Sequence, residues 1–353
     1  MPFFAFSYLC VLFVSMHAAD FVSMVQREQV IMGTFVSLTL EQKDKQYFHP
    51  SFELLKNIEK SLSNYDKSAL LYQLNHKGSI KADKYLLESL MLSKEYYKET
   101  EGYFNVAIGS ITKELYHFGE EDAALPDVKI VENSVIDLEK ISISKEKIVL
   151  DRGVHIDLGG MGKGYGIDKL HEYLLHKGVT KAVIALSGDI RCVGKCPIAI
   201  YNPFDENQPL ASFYIQDAGV STSGTYRRYI QSKKNNHLIN PKTKTPQNTF
   251  ISVTLISSDI ASSALDAYAT AVSVMPLEKA LSFLKKQQLA YILLTDDKRL
   301  FISKNIAHYT DDLLLQEALY EQPEYIQKRR YQQKETNQFY IYKDIQTRKN
   351  QKR

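Results

Sequence analysis

The stretch that says most about this chain runs from His155 to Leu170 and reads HIDLGGMGKGYGIDKL. Its apolar, alternating start ends at Asp157, and five glycines and Lys163 precede a segment of helical pattern over 167–174. Glycine lets the backbone approach a ligand closely, and the free N–H groups of a helix N-terminus attract phosphate. The stretch therefore predicts a phosphate or pyrophosphate site. A strand-to-helix turn without a ligand is the alternative, because the spacing matches neither the dinucleotide fingerprint nor the standard phosphate loop.

Composition places the chain among ordinary globular proteins. It has 353 residues, of which 44% are hydrophobic and 24% are charged, so it is long enough to bury a large core. The net charge of +3 gives no electrostatic argument for nucleic-acid binding over the body of the chain. We therefore expect no nucleic-acid partner.

The two ends of the chain differ from its body. Residues 1–19 predict a secretory signal peptide, because their apolar run is shorter than the roughly 20 residues that span a bilayer and small residues follow it. A buried N-terminal segment is the alternative. We assign residues 20–310 to the folded domain and 311–353 to a basic, polar tail, since 321–353 carry nine Lys or Arg against four Asp or Glu.

Two cysteines, Cys192 and Cys196, remain after the expected cleavage. They are too few for a zinc site. With Gly194 between them they would close a hairpin as a disulfide in an oxidising compartment, or else remain free thiols.

Hydrophobic periodicity predicts helices and strands in no strict alternation. The expected strands cover 29–40, 141–158 (broken at 151–153), 181–201 (two strands around the cysteine turn), 211–216, 249–256 and 290–294. The expected helices cover 50–63, 84–100, 260–274 and 277–288. This order predicts an α+β fold of mixed sheets with packed helices.

A second set of candidate ligands lies in residues 258–275, SDIASSALDAYATAVSVM. Ser258 or Asp259 would cap a helix on which Asp266 and Thr270 share one face. A carboxylate and a hydroxyl one turn apart form the oxygen-ligand pair that suits Mg²⁺. A hydrogen bond from Asp266 to Thr270 or to solvent is the alternative without a metal.

A third candidate segment, residues 219–241, reads GVSTSGTYRRYIQSKKNNHLINP. Its hydroxyl-rich loop precedes His237, whose ordinary pKa near neutrality suits a general base. A structural histidine is the alternative. Arg227 and Arg228 are expected to be surface or ion-pairing residues.

These segments recur in an order that resembles the FAD:protein FMN transferases, the ApbE-like flavin transferase family. The likeness runs from about Val30 to Lys304. It rests on MGT (32–34), SNYDKSALLYQLN (63–75), TEGYFNVAIG (100–109), HIDLGGMGKGYGID (155–168), SGDI (187–190), STSGTYRRY (221–229), HLINP (237–241) and LDAYATA (265–271).

The resemblance implies the ApbE-like fold for residues 20–310 and an activity. Members of the family transfer FMN from FAD to a threonine or serine hydroxyl of an acceptor protein, release AMP and require Mg²⁺. The acceptor would be an exported electron-transfer subunit, often with its threonine in a short Asp-Gly…Thr motif. The chain would then act in the periplasm or on the outer side of the inner membrane. An FAD pyrophosphatase, with water as acceptor, and a non-catalytic flavin-binding protein are the alternatives.

The resemblance also assigns roles to residues. Asp266, Thr270 and the Gly160 carbonyl match the metal ligands, and His237 matches the group that activates the acceptor hydroxyl. Lys163 would add positive charge to the reacting region. The flavin or nucleotide contacts would be Met32, Tyr65, Tyr103, Phe104, Asn105, Asp157, Lys163 and Ile239.

Four positions depart from the family pattern. Asn105 and Asn240 stand where aspartate is common, so neither is expected to act as an acid. Ser187 replaces the first glycine of a usual Gly-Gly-Asp, and Lys244 stands where a glycine usually follows the His…Pro turn.

Overall fold

The computed structural model describes residues 23–315 and 340–342, to which every structural statement below refers. The helices are α1 (Phe48–Leu62), α2 (Leu70–Lys77), α3 (Lys84–Glu99), α4 (Gly109–Thr112), α5 (Val128–Asn133), α6 (Gly162–His176), α7 (Ser262–Val274) and α8 (Leu277–Lys286). The strands are β1 (Met24–Ile31), β2 (Thr34–Glu41), β3 (Ser79–Ile80), β4 (Ile141–Ile143), β5 (Ile148–Leu150), β6 (Ala182–Leu186), β7 (Asp189–Val193), β8 (Lys195–Ile200), β9 (Ala211–Gln216), β10 (Gly219–Gly224), β11 (Ile239–Asn240), β12 (Thr245–Pro246), β13 (Phe250–Ser257), β14 (Ala290–Thr295), β15 (Leu300–Ile302), β16 (Asp311–Leu315) and β17 (Tyr340–Tyr342).

A large antiparallel sheet organises the described residues. Its nine strands run in the order β1-β2-β6-β7-β10-β13-β14-β15-β17. One face packs against the helices in the main core, to which Leu38, Ile184 and Leu255 contribute. Part of the other face packs against the small sheet β16-β9-β8 in a second core around Phe213 and Ile256. This arrangement confirms the predicted α+β class.

Helices α6 and α7 pack in unusually close contact. A Cβ at Gly164 would lie 2.2 Å from the Ser262 carbonyl oxygen, so glycine is required at this crossing. The Asp168 carboxylate accepts hydrogen bonds from the backbone N–H groups of Ser262 and Ser263 at 2.7 and 2.9 Å. The predicted cap at Ser258 or Asp259 was therefore wrong, because the cap comes from the neighbouring helix.

The expected start of helical structure at residue 167 was also wrong. Helix α6 begins at Gly162 and so includes three of the five glycines. Gly164 faces α7, and a Cβ at Gly166 would lie 3.1 Å from the Met32 sulfur. These two glycines serve helix packing, whereas Gly159 and Gly160 precede the helix and line a cavity beside its N-terminus.

The stretch 29–40, predicted as one strand, is a hairpin of β1 and β2. Met32 and Gly33 connect the two strands with φ of +56° and +67°. Positive φ at both central residues is typical of a two-residue hairpin turn. Such turns usually contain Asn-Gly, Asp-Gly or Gly-Gly, so Met-Gly is an unusual sequence for this turn. The Met32 N–H donates to the Glu59 carboxylate at 2.6 Å, which helps to hold methionine in a conformation that favours glycine.

Two further segments differ from expectation. Residues 181–201 form three strands, β6 to β8, instead of two, and Cys192 and Cys196 form a disulfide across the β7–β8 turn. Within 141–158 only β4 and β5 form, because the chain then turns toward the cavity. The remaining predicted helices and strands are found within three residues of their expected bounds.

A strand begins at residue 311, where the basic tail was expected to begin. Residues 311–315 form β16, which pairs with β9, and β17 pairs with β15. The predicted signal peptide and the rest of the tail lie outside the described residues. Among the helices that are described, none is both long and apolar enough to cross a membrane.

Candidate active site

A cavity of about 1760 Å³ opens beside the N-terminus of α6. Side chains or backbone from all twelve predicted site residues line it: Met32, Tyr65, Tyr103, Phe104, Asn105, Asp157, Gly160, Lys163, His237, Ile239, Asp266 and Thr270. These residues come from six separate segments of sequence. The fold therefore brings together the groups that the motifs had suggested one by one.

Helix α7 provides the oxygen ligands predicted for a metal. Asp266 and Thr270 lie one turn apart, and the Thr270 hydroxyl lies 3.4 Å from the Gly160 carbonyl oxygen. The Asp266 side chain is 3% exposed and accepts a hydrogen bond from the Gly164 N–H at 3.2 Å. A carboxylate, a hydroxyl and a carbonyl form an all-oxygen donor set, which fits a hard cation such as Mg²⁺.

Lys163 lies between two buried carboxylates. Its Nζ is 3.0 Å from Asp266 and 3.0 Å from Asp189, at the start of β7. Burial lowers the Lys163 pKa, but the two negative charges outweigh burial and hold it above its usual value. Burial and the charge of Asp189 raise the pKa of Asp266 to about 7, against the opposing effect of Lys163. A lysine bound in this way keeps its charge at neutral pH.

Asp189 is a site residue that motif reasoning did not select. Besides Lys163, it accepts a 2.5 Å hydrogen bond from the Ser221 hydroxyl on β10. In the sequence, only the SGDI motif points to this aspartate. The motif contributes to the family resemblance, but no role was assigned to Asp189. The pairing of β7 with β10 places Asp189 directly opposite Ser221.

Asp157 organises the loop before α6. Its carboxylate accepts hydrogen bonds from the Thr112 hydroxyl at 2.7 Å and the Gly159 N–H at 2.9 Å. Burial raises the pKa of this carboxyl, but the nearby charge of Lys113 and these two hydrogen bonds outweigh it and hold the pKa below its usual value. Asp157 is therefore ionised at neutral pH and shapes the turn that presents Gly159 and Gly160.

His237 is a half-buried ring at the cavity wall. Its Nδ1 lies 3.1 Å from the Arg228 carbonyl oxygen, which can only accept, so Nδ1 carries the proton and Nε2 is the acceptor. Burial, followed by the positive charge of Arg228, lowers the pKa of His237 to about 4. The ring is therefore neutral at pH 7, as a general base must be before it takes a proton.

Aromatic side chains line the cavity beside these polar groups. Tyr65 is 44% exposed, lies beneath the Lys113 ammonium at 4.2 Å, and donates to the Phe118 carbonyl at 3.1 Å. Tyr103 lies under Lys242 at 5.7 Å. A fixed, partly exposed ring offers a stacking surface to a flavin or adenine. Lys113 has no signal in the sequence that would have identified it.

The departures from the family pattern have local explanations. The Asn105 amide donates to the Ile136 carbonyl and accepts from the Ala107 N–H, and the Asn240 amide donates to the Val274 carbonyl and accepts from the Lys242 N–H. An ionised aspartate could not donate in either place.

The other two departures concern backbone conformation. Ser187 and Lys244 have φ of +60° and +59°, a conformation that favours the glycine expected at each position. Lys244 compensates in part through its ammonium, which donates to the carbonyls of Glu132 and Ser134 at 2.6 and 3.0 Å.

Arg227 and Arg228 are exposed, as expected of surface residues, and both line the cavity. Arg227 donates to the Ser187 hydroxyl at 3.2 Å, and its guanidinium lies 5.7 Å from the centre of the Tyr201 ring. Within residues 23–315 no carboxylate forms an ion pair with either arginine. Of the two alternatives expected for these arginines, the surface position is confirmed, and ion pairing is not found among the described residues.

Together, fold and cavity describe an α+β protein in which one large cavity combines a helix N-terminus, buried charged groups and partly exposed aromatic rings. The model of the ApbE family matches residues 32–293, about three quarters of the chain. The chain therefore belongs to the ApbE family, and the resemblance found in the motifs is confirmed.

Relatives that carry an enzyme name align with most of the chain. The FAD:protein FMN transferase of Klebsiella pneumoniae is 26% identical over 294 residues, which cover 78% of this chain and 88% of the relative. The enzyme of the same name from Haemophilus influenzae is 29% identical over 280 residues, or 71% and 79% of the two chains.

Solved structures confirm the fold. The flavin transferase ApbE of Vibrio cholerae has a TM-score of 0.69 at 21% identity, with 81% of this chain and 99% of that chain covered. The ApbE protein of Thermotoga maritima has a TM-score of 0.75 at 20% identity, with 82% and 100% covered.

Proposed function

We propose that this protein is an FAD:protein FMN transferase, which moves FMN from FAD to a threonine or serine hydroxyl of an acceptor protein and releases AMP. One observation carries the proposal: the separate motifs of the family meet in a single cavity, with their polar groups in contact. The relatives that carry this enzyme name support it.

The cavity offers two separate surfaces for FAD. The N-terminus of α6 offers free N–H groups to the pyrophosphate, and the Lys163 ammonium lies beside it, where it is shared with Asp189 and Asp266. Asp266, Thr270 and the Gly160 carbonyl would hold Mg²⁺, which when bound neutralises charge on phosphate oxygens. Tyr65 and Tyr103 offer aromatic faces to the rings of the dinucleotide.

His237 has the protonation state that the transfer requires. The neutral Nε2 takes the proton of the acceptor hydroxyl while that oxygen forms a bond to the FMN-side phosphorus. The bond from this phosphorus to the bridging oxygen breaks, and AMP leaves with the electron pair. The low pKa makes His237 a weaker base but keeps nearly all of it unprotonated at neutral pH.

FAD hydrolysis is the second candidate, because water can use the same base. The half-buried His237 faces a cavity with room for solvent, so water in place of the protein hydroxyl would yield FMN and AMP. A flavin-binding protein without catalysis is the third candidate. The intact set of Asp266, Thr270, Lys163 and His237 favours an enzyme over this third role.

We further propose that the protein acts after export, in the periplasm or on the outer side of the inner membrane. The Cys192–Cys196 disulfide supports this location, because disulfides persist in oxidising compartments. An exported electron-transfer subunit would then be the acceptor.

The test is mass spectrometry of an exported electron-transfer domain that carries a threonine in an Asp-Gly…Thr motif, incubated with the protein, FAD and Mg²⁺. A mass gain of one FMN that EDTA abolishes would establish the transferase. Free FMN and AMP without a mass gain would identify the hydrolase. Intact FAD would leave the flavin-binding role. Replacement of the target threonine by alanine is the control for the modified site.

A further inference from the structure

We propose that the acceptor protein binds as an extended segment along one partly open face of the large sheet, beside the active site. This inference rests on the proposed function, because it concerns the acceptor of that reaction. The surface, called the acceptor face below, consists of alternate residues on four strands: Ser37, Thr39, Val183, Ala185, Ile190 and Thr222.

Strand register makes the acceptor face continuous. Thr39 on β2 lies opposite Val183 on β6, Ser37 lies opposite Ala185, and Ala185 lies opposite Ile190 on β7. Leu38 and Ile184, which lie between them on β2 and β6, point to the helix-covered core, and Val183 and Ile190 also pack against the edge of the second core. All six members of the acceptor face are uncharged and of small or medium size. Such a surface lets a second polypeptide backbone come close without burying a charge.

The acceptor face is continuous with the active site. Its residues line the same cavity as Asp157, Lys163 and Asp266. The cavity volume of about 1760 Å³ exceeds the roughly 300–1000 Å³ that is usual for a small-molecule pocket. A dinucleotide at the polar end therefore leaves room for a second ligand, and the transfer reaction requires a protein hydroxyl to enter this space.

The hairpin tip provides an apolar contact at the site end of this face. Val30 and Phe35 are cross-strand partners that are 69% and 70% exposed, and they lie on the same side of the sheet as Ser37. The Phe35 carbonyl accepts from the Ser187 N–H at 3.3 Å, which places the pair beside the β6–β7 turn of the active site. An exposed apolar pair next to a protein-modifying site is typical of a contact surface.

Arg227 gives the opposite side of this opening a positive charge. It contacts Ser187 and the ring of Tyr201, and Tyr201 stacks on Tyr226 at 5.1 Å. Arginine and tyrosine are enriched where proteins bind one another. Because Arg227 has no ion-pair partner within the described chain, its charge is available to a carboxylate of the bound acceptor segment.

The decisive experiment combines a double variant with a matched control. The test variant, Val30→Ser with Phe35→Ser, removes the apolar pair at the hairpin tip. The control variant, Val128→Ser with Ile130→Ser, removes an apolar pair on α5. The control residues are 67% and 56% exposed and do not line the cavity. The transfer assay contains the full-length enzyme, FAD, Mg²⁺ and the exported electron-transfer domain. The readouts are KM for the domain, kcat, the Kd for FAD and Tm.

We expect the hairpin variant to raise the acceptor KM at least tenfold, with kcat at saturating acceptor and the FAD Kd within twofold of wild type. The α5 control should change none of them. Arg227→Gln should raise the acceptor KM about fivefold and weaken its dependence on salt, since a screened charge pair is lost.

Each outcome decides one of the two proposals. If wild type flavinylates the domain and the hairpin variant keeps its KM, the acceptor face is refuted and the transferase stands. If wild type fails to flavinylate while it binds FAD, the proposed function is refuted and the acceptor face with it. If the hairpin variant alone loses several degrees of Tm through its missing cross-strand contact, the Arg227→Gln variant decides, and an unchanged acceptor KM in that variant refutes the acceptor face.

Discussion

Replacement of Gly164 by alanine tests whether the α6–α7 contact sets the geometry of the active site. A Cβ at this position would lie 2.2 Å from the Ser262 carbonyl oxygen and 2.7 Å from the Ser263 Cα. Comfortable contacts are near 3.5 Å, so the first turn of α7 must move by about 1 Å. Because α7 carries Asp266, the movement separates this carboxylate from Lys163 and from the Gly164 N–H.

The structure predicts a modest loss of stability and a large loss of activity. Overpacking costs about 1–3 kcal/mol, and the better helix propensity of alanine offsets about 1 kcal/mol of it. The net loss in the free energy of unfolding is therefore at most about 2 kcal/mol. A displacement of about 1 Å between reacting groups is enough to slow FMN transfer about 100-fold.

The assay compares Gly164→Ala with Gly162→Ala on the same helix. A Cβ at Gly162 meets only the Met32 methyl carbon at 3.9 Å and the Leu158 Cβ at 4.0 Å, so this control should keep its fold and its Mg²⁺ affinity. Metal binding by calorimetry without FAD, Tm, and FMN transfer are measured for both. If Gly164→Ala binds Mg²⁺ and transfers FMN as well as its control does, the close contact does not position the site.

Three further predictions concern individual groups. His237→Ala should bind FAD but transfer FMN slowly at pH 7. Because the wild-type ring has a pKa of about 4, the kcat/KM of the wild-type enzyme should fall only as the pH drops toward 4. A fall in kcat/KM centred near pH 6.5 would contradict the lowered pKa of His237. Asp266→Ala should lose its response to Mg²⁺, so an unchanged titration would remove its assignment as a ligand. Reduction of the Cys192–Cys196 disulfide should lower the free energy of unfolding by about 2 kcal/mol, because this disulfide closes a loop of only a few residues. FMN transfer should be unchanged. Urea denaturation and a transfer assay measure the two effects.

Motifs in the sequence predicted which residues line the cavity better than they predicted the bounds of the surrounding helices and strands. Asp266 and Thr270 were found because helical spacing of four puts two oxygen groups on one face, a relation that is local and survives any tertiary arrangement. His237 and Lys163 came from short motifs in the same way. All of them reached one cavity because the antiparallel sheet brings distant loops to the same end.

The errors arose where tertiary contacts override local patterns. The Met32–Gly33 turn was missed because a methionine at positive φ has no local signature, and its N–H is instead held by Glu59 on α1. The cap of α7 was misplaced because it comes from Asp168 on another helix. Asp189 was passed over because its importance depends on Lys163 and Ser221, which are far from it in sequence or on another strand.

One antiparallel helix contact connects these observations. Gly160, just before α6, meets Thr270, and Gly164 on α6 meets Ser262 and Asp266. Asp168 caps the start of α7. From residue 160 to residue 168, each step of four residues therefore matches a step of four toward the N-terminus of α7. Four residues are about one helical turn. Each of these steps therefore carries a proposed ligand, a close backbone contact or a cap. The glycines needed for packing and the oxygens proposed for a cation share one register, so a larger residue at 164 is expected to displace the carboxylate at 266.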